Sequence, residues 1–135
     1  MFKEISFVFF VIVLISGFFF IFLDSGETEL NSSSNLQTKT SQSTVSIDLT
    51  PQSFNGKEFV VNIGVNTHIT DLSRFDLKEL AVLEINGKSI KPKSAPKLSG
   101  HHNKGALIFD VNKKPEDFKI IVKSFPDLEL REFKW

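Results

Sequence analysis

Residues 59–65 read FVVNIGV, and every second side chain in this stretch is apolar. In an extended chain the alternating side chains share one face. They are Phe59, Val61, Ile63 and Val65. Branched and aromatic residues favour strands because they pack well on a pleated surface. The stretch therefore predicts a β-strand with one buried face.

Six other segments on either side of this strand carry strand patterns. They are residues 45–49, 80–85, 88–91, 106–111, 118–123 and 128–135. Pro51 is expected to end the first, since proline cannot donate to a strand ladder, and Asn86-Gly87 is a strong hairpin signal. The alternation within 128–135 breaks once, which we interpret as a bulge. Six or seven short strands predict a mainly β fold, an antiparallel β-sandwich of immunoglobulin-like outline.

A segment without strand character separates the second and third predicted strands. It spans residues 71–79, with the sequence DLSRFDLKE. Asp71 and Asp76 are residue types that cap helix N-termini. We therefore expect a short crossover helix or turn, which packs three apolar side chains over one end of the sheets, those of Leu72, Phe75 and Leu77.

The N-terminal region has the composition of a membrane span. Residues 5–23 are uncharged throughout, and a helix of that length spans about 28 Å, close to the hydrocarbon core of a bilayer. Lys3 precedes the apolar run and acidic residues follow it, so the positive-inside rule predicts a cytoplasmic N-terminus. The sequence thus predicts a signal anchor over residues 1–23, with the remaining chain outside the cell membrane.

A cleaved signal peptide is the alternative for this region, and it would make the protein a secreted one. Signal peptides have a shorter apolar run and a small residue three positions before the cleaved bond. The most plausible cut here follows Ser25, which puts the bulky Leu23 at that position. The signal anchor is therefore the favoured interpretation.

Residues 24–44 are predicted to be a disordered linker. They are rich in serine, threonine, asparagine and glutamine, with Leu30 and Leu36 as the only apolar side chains. Such a segment cannot bury enough surface to offset the entropy lost on ordering. The folded domain is then expected over residues 45–135, a length that suffices for one modest core.

The composition argues against several classes of function. Sixteen basic residues balance sixteen acidic ones, whereas a nucleic-acid-binding protein needs a basic excess. The chain has no cysteine, which excludes disulfides, thiolate metal sites and thiol nucleophiles. Signatures such as a nucleophile elbow, a phosphate loop or a dinucleotide fingerprint are missing. The sequence therefore gives no positive case for an enzyme.

The only three histidines, His68, His101 and His102, all fall in predicted loops at strand ends. If neighbouring strands bring these ends together, three imidazoles converge on one rim of the domain. That is enough to bind zinc or copper(II) with an open coordination position. Asp71 is the nearest candidate for a fourth, oxygen ligand. A transition-metal site is therefore one candidate function.

Two other interpretations of the histidines remain open. Imidazoles at strand ends can fix loops by donating ring protons to carbonyl oxygens, and the domain would then be a structural or interaction module that meets another protein of the cell envelope. The histidines can also line a metal-free binding or catalytic pocket. Ser99 stands near His101, but no orienting carboxylate is evident, so a hydrolase is the weakest of the candidates.

A spaced set of residues within 45–135 resembles a small uncharacterised domain. That domain recurs behind signal peptides or membrane anchors in bacterial and archaeal proteins. The residues that carry the resemblance include Asn66-Thr67-His68, Asp71-Leu72, Gly100-His101-His102, Gly105 and Phe133-Lys134-Trp135. Ser99 departs from the pattern, which has a glycine there. The resemblance implies an exported β-rich domain and supplies no activity.

Overall fold

Residues 36–135, which the computed structural model describes, form two four-stranded antiparallel sheets. The strands are β1 (Lys39–Ser41), β2 (Val45–Phe54), β3 (Glu58–Thr67), β4 (Ala81–Ile85), β5 (Lys88–Ile90), β6 (His102–Asp110), β7 (Lys119–Phe125) and β8 (Leu128–Lys134), with one helical turn, α1 (Leu77–Leu80). The strand order is β1-β2-β3-β6 in the first sheet and β5-β4-β7-β8 in the second. The prediction of a mainly β, antiparallel fold is confirmed.

The alternation seen in the sequence produces the core. Phe59, Val61, Ile63 and Val65 of β3 are each at most 3% exposed, and the residues between them are half-buried or exposed. The inward side chains of the second sheet, such as Leu83, belong to the same hydrophobic cluster. Each fully buried side chain of this size contributes about 1.5–3 kcal/mol. The two sheets are thus held face to face by one core.

Pro51 does not end the first predicted strand, so that expectation is wrong. Strand β2 continues to Phe54, and Pro51 pairs with Val61 of β3. The register between β2 and β3 shifts immediately afterwards, between Pro51 and Ser53. On its other side β2 has no strand partner at this point among residues 36–135, because β1 pairs only as far as Leu49. A proline is tolerated at an edge or next to a bulge, since no ladder bond is lost there.

The folded domain begins earlier than residue 45, so the predicted linker boundary is wrong. Strand β1 pairs with Ile47–Leu49 of β2, and Leu36 packs against the core. The indole Nε1 of Trp135 donates to the carbonyl oxygen of Gln37 at 2.7 Å. A polar segment becomes ordered here because β2 supplies backbone partners and the C-terminus supplies a hydrogen bond.

The chain upstream of Leu36 lies outside the described residues. It includes the predicted signal anchor, residues 1–23, and most of the predicted linker, residues 24–35. Within residues 36–135, no helix is long and apolar enough to cross a membrane. The anchor and the upstream part of the linker therefore stay predictions.

Local signals placed one hairpin and one helical turn correctly. Asn86 and Gly87 have φ values of 50° and 75°, as a two-residue hairpin of type I′ requires, and they connect β4 to β5. The carboxylate of Asp76 accepts from the backbone N–H of Lys78 at 2.9 Å and caps α1. The helix is confined to Leu77–Leu80, shorter than the segment 71–79 in which we expected it.

The loop between β5 and β6 packs closely against β6. The backbone N–H of Ile108 donates to the carbonyl oxygen of Ser94 at 2.9 Å, so the loop covers part of this sheet edge. The ring of Pro96 occupies the space beside Gly105. A Cβ atom at Gly105 would lie 2.5 Å from the Cβ of Pro96. Glycine is therefore required at this position by the close approach of the loop.

The substitution Gly105→Ala is expected to lower the free energy of unfolding by about 1–3 kcal/mol, because the rigid ring of Pro96 and strand β6 must move apart. Gly64→Ala is the matched control. It lies on the adjacent strand β3, and its added Cβ would meet its nearest neighbour, Asp48, at 3.8 Å, an ordinary contact. Urea unfolding of the purified full-length chain measures both. Equal losses in the two variants would contradict the steric argument.

Candidate functional site

Two loops meet at one end of the sandwich, where β3 ends and β6 begins. Asn66 of β3 pairs with His102 of β6. Beyond this pair the backbone N–H of Thr67 donates to the carbonyl oxygen of His101 at 2.9 Å, and that of Leu72 donates to Gly100 at 3.0 Å. We call these two segments, residues 66–72 and 99–102, the histidine loops. Backbone pairing of β3 with β6 thus brings together residues more than thirty positions apart in the sequence.

His68 and His102 are in contact within the histidine loops. Their ring centroids lie 5.7 Å apart, and the ring planes meet edge to face at 75°. Both side chains are exposed. His102 lies on β6 itself, in contrast to our expectation that all three histidines would fall in loops. The strand starts earlier than predicted because residues 102–105, which lack apolar alternation, continue the pairing with β3.

The Nδ1 atom of His102 lies 3.1 Å from Oδ1 of Asn66. A carbonyl oxygen can only accept, so the ring proton of His102 resides on Nδ1. In the neutral ring the other nitrogen, Nε2, then carries a lone pair. A nitrogen with a free lone pair can bind a metal ion.

His101 has a different partner. Its Nδ1 atom lies 3.1 Å from the backbone carbonyl oxygen of Thr70, and the ring therefore donates a proton to the facing loop. Adjacent residues of an extended chain point to opposite sides, which explains why His101 and His102 have separate surroundings. His101 is thus a loop-fixing residue, as one of the interpretations from sequence expected.

Asp71 is engaged in a turn of the same loop. One carboxylate oxygen accepts from the backbone N–H of Ser73 at 3.0 Å. Hydrogen bonds from the backbone and side chain of Ser73 lower the pKa of Asp71, and the nearby charges of His101 and Arg74 act in the same direction. The carboxylate is therefore ionised at neutral pH and stabilises the turn.

The four predicted ligands lie at one end of the domain but do not form one cluster. His68 and His102 are neighbours, whereas His101 and Asp71 contact the loop backbone. Among residues 36–135, no group of three or more histidine, aspartate or glutamate side chains is arranged to hold a metal ion. The metal site of His68, His101, His102 and Asp71 therefore stays a prediction.

Ile69 lies at the exposed part of the histidine loops. Its side chain is 78% exposed, and hydrogen bonds hold the backbone of the loop at this residue and at the next one. Its own backbone N–H donates to the hydroxyl of Thr67 at 3.4 Å, and Thr70 accepts from His101. A large apolar side chain is thus held in water by a loop that hydrogen bonds fix in place.

A buried arginine that the sequence analysis missed supports the same end of the domain. The side chain of Arg131 is 0% exposed. Its guanidinium donates to the backbone oxygen of Ser41 at 3.2 Å, to the hydroxyl of Ser43 at 3.0 Å and to the carboxylate of Asp127 at 3.0 Å. The other oxygen of Asp127 accepts from the backbone N–H of Thr44 at 2.6 Å. One ion pair therefore joins the β1–β2 connection to the β7–β8 turn.

The burial of this pair alters both pKa values. Burial lowers the pKa of Arg131, and the charge of Asp127 opposes that change. Burial alone would raise the pKa of Asp127, but hydrogen bonds from Ser43 and Thr44 and the charge of Arg131 outweigh it, so the pKa lies below its ordinary value. Both groups are consequently charged at neutral pH.

No family model, curated protein or solved structure matches the chain. The function of the histidine loops must therefore be inferred from their own chemistry. That chemistry comprises an exposed pair of imidazoles, one loop-fixing imidazole and one exposed apolar side chain.

The substitution Asp127→Asn is expected to lower the free energy of unfolding at pH 7 by about 3 kcal/mol, because it leaves the buried charge of Arg131 without its partner. Glu79→Gln is the control. It removes a carboxylate that pairs with Lys91 on the exposed surface, and such pairs contribute about 0–1 kcal/mol. Equal effects of the two substitutions in urea unfolding would contradict the assigned role of the buried pair.

The same pair predicts a specific acid dependence of stability. Since the folded-state pKa of Asp127 is lowered, its contribution is present above the unfolded value of about 3.9. That contribution is lost as the pH falls through the lower folded-state pKa. The stability difference between the natural chain and Asp127→Asn should therefore shrink below about pH 4. A difference that stays constant down to pH 2 would contradict the linkage.

Proposed function

We propose that the protein is a single-pass membrane protein whose β-domain lies outside the cell membrane and binds another protein of the cell envelope through the histidine loops. The observation that carries this proposal is the exposure of Ile69 on a loop held by hydrogen bonds. The side chain of Ile69 is 78% exposed, and removing its apolar surface from water would make the free energy of binding more favourable.

Fixing the loop before binding favours such an interaction. The loop is joined to Gly100 and His101 through backbone hydrogen bonds, and the His101 ring donates to Thr70. A partner then need not supply the free energy that orders the loop, and this preorganisation raises affinity. In this proposal His101 acts on the partner indirectly, by holding Ile69 in position.

The point at which the chain enters the domain is compatible with membrane attachment. The first residue of β1, Lys39, pairs with Leu49 of β2, and its last residue, Ser41, pairs with Ile47, so β1 runs towards Val45. Val45 pairs with Thr67 at the end of the sheet where the histidine loops lie. Leu36 therefore lies towards the end of the sheet opposite the histidine loops. An anchor over residues 1–23, followed by a linker, would join the domain away from the proposed binding surface.

The immunoglobulin-like outline that the sequence predicts would suit the same role. Two antiparallel sheets around one core, with loops gathered at their ends, have the outline of immunoglobulin-like domains. In such sandwiches the terminal loops commonly carry binding surfaces, because the sheets hold them rigidly. The resemblance to an exported domain that follows signal peptides or membrane anchors agrees with a location outside the cell membrane.

A photoreactive amino acid at position 69 tests the envelope-binding proposal in cells that express the full-length chain. We expect a discrete protein adduct in the membrane fraction. The same reagent at Leu130, which is 51% exposed on β8, is the control for nonspecific capture by an apolar position. The uncrosslinked chain in the same fraction should keep its full mass of 15.3 kDa, since a signal anchor is not cleaved.

Two further variants separate loop geometry from exposure. His101→Ala should reduce the adduct, because Thr70 loses its donor, whereas His101→Gln should retain it, because the amide can donate to the same oxygen. Equal adduct yields at positions 69 and 130 would contradict the proposed surface. Recovery of a shortened chain in the medium would favour the secreted alternative.

Transition-metal binding is a second candidate function, and the contact between His68 and His102 favours it. Two imidazoles on one tetrahedral ion have ring centroids about 5 Å apart, close to the 5.7 Å in this domain. The bond from His102 Nδ1 to Asn66 is the kind of support that metal-bound histidines usually have. We propose zinc or copper(II), because the chain offers nitrogen but no thiolate ligands.

Calorimetric titration of the full-length chain with zinc or copper(II) tests this second candidate. We expect heat of binding at pH 7.5, because imidazole nitrogen is a ligand for both ions. His102→Gln should abolish binding, and His101→Gln should preserve it. Equal binding by both variants, or no heat with the natural chain, would contradict a site at His68 and His102.

A further inference from the structure

We propose that a zinc ion bound by His68 and His102 joins two copies of this chain, each copy supplying two of the four ligands. This inference rests on metal binding, the second candidate function, and it names the partner of that site.

A single domain offers too few ligands for a closed zinc site. Zinc in structural sites is bound by four tetrahedral ligands. Within residues 36–135, no group of three or more histidine, aspartate or glutamate side chains can hold a metal ion. The whole chain has three histidines and no cysteine, and His101 is hydrogen-bonded to the backbone of Thr70. An ion on His68 and His102 therefore keeps two open positions.

A second copy fills those positions with identical chemistry. In a two-fold symmetric dimer the same surface of each protomer meets its counterpart, so two His68–His102 pairs would face one another across the ion. Both imidazoles are exposed on each copy and can be reached by a neighbouring molecule. Four nitrogen ligands would then complete the tetrahedron.

The surroundings of the histidine pair also suit contact between two copies. Ile69 follows His68 and is 78% exposed, so apolar surface would be buried beside the ion. Asp71 and Arg74, both exposed, carry opposite charges close together in the sequence. Because each copy presents both signs, the two surfaces need not repel one another.

Fluorescence resonance energy transfer between labelled chains tests whether zinc bridges two copies. The natural chain has no cysteine, so Lys123→Cys, at an exposed position of β7, introduces a unique labelling site. Donor-labelled and acceptor-labelled full-length chains, purified without a histidine tag, are mixed in detergent micelles. Zinc chloride should raise the transfer, EDTA should reverse it, and calcium chloride should leave it unchanged. Calorimetry should give one zinc per two chains.

Matched glutamine variants assign the effect to particular imidazoles. His68→Gln and His102→Gln should each abolish the zinc-dependent transfer, whereas His101→Gln should retain it, since glutamine can still donate to Thr70. Urea unfolding of each variant verifies that the fold persists. Energy transfer that survives both His68→Gln and His102→Gln would overturn the proposal.

The stoichiometry separates failure of the bridge from failure of the site. One zinc per chain, without energy transfer, would overturn the bridged dimer and leave metal binding at His68 and His102 supported. No zinc binding at all would overturn both. Either result leaves the envelope-binding proposal to be decided by the adduct at position 69.

Discussion

The backbone pairing of β3 with β6 determines both the core and the candidate site. One continuous register runs from Phe59 opposite Phe109 to Asn66 opposite His102. A shift of one residue would turn the apolar face of a strand outward, and it would also separate His102 from Asn66. The burial of Phe59 and Phe109 in the interior therefore fixes the position of an exposed imidazole at the end of the sheet.

The three histidines have different contacts because strand geometry gives them different neighbours. His101 bonds to the backbone of the facing loop, while His102 contacts Asn66 and the ring of His68. The first arrangement supports the proposal that a rigid loop binds a partner, and the second supports the proposal of metal coordination. Both proposals therefore concern the same end of the domain, and they differ in whether a protein surface or an ion occupies it.

Most of the fold could be predicted from the sequence, because alternating burial leaves a pattern that is visible residue by residue. Strand β1 could not be predicted in this way, because its formation depends on partners elsewhere in the chain. It pairs with β2, and the residues before it accept a hydrogen bond from Trp135, which is far away in the sequence. In β8 the break in alternation is not a bulge, because its register with β7 is continuous. The inward position belongs to Arg131, and its charge is tolerated only because Asp127, Ser41 and Ser43 surround it. For the site, the sequence suggested convergence of the histidines, but only the β3–β6 register shows which of them are in contact.

The C-terminal tryptophan also determines how the domain would respond to a mechanical load. Trp135 stacks on Phe118 with ring centroids 5.2 Å apart and bonds to Gln37, so the C-terminus reinforces the segment by which the chain enters the fold. A pull between that entry point and the far tip of the sandwich would run parallel to the strands. The hydrogen-bonded pairs between β1 and β2 would then resist together in shear instead of separating one after another. That geometry would suit the proposed attachment to a membrane at one end and to a partner protein at the other.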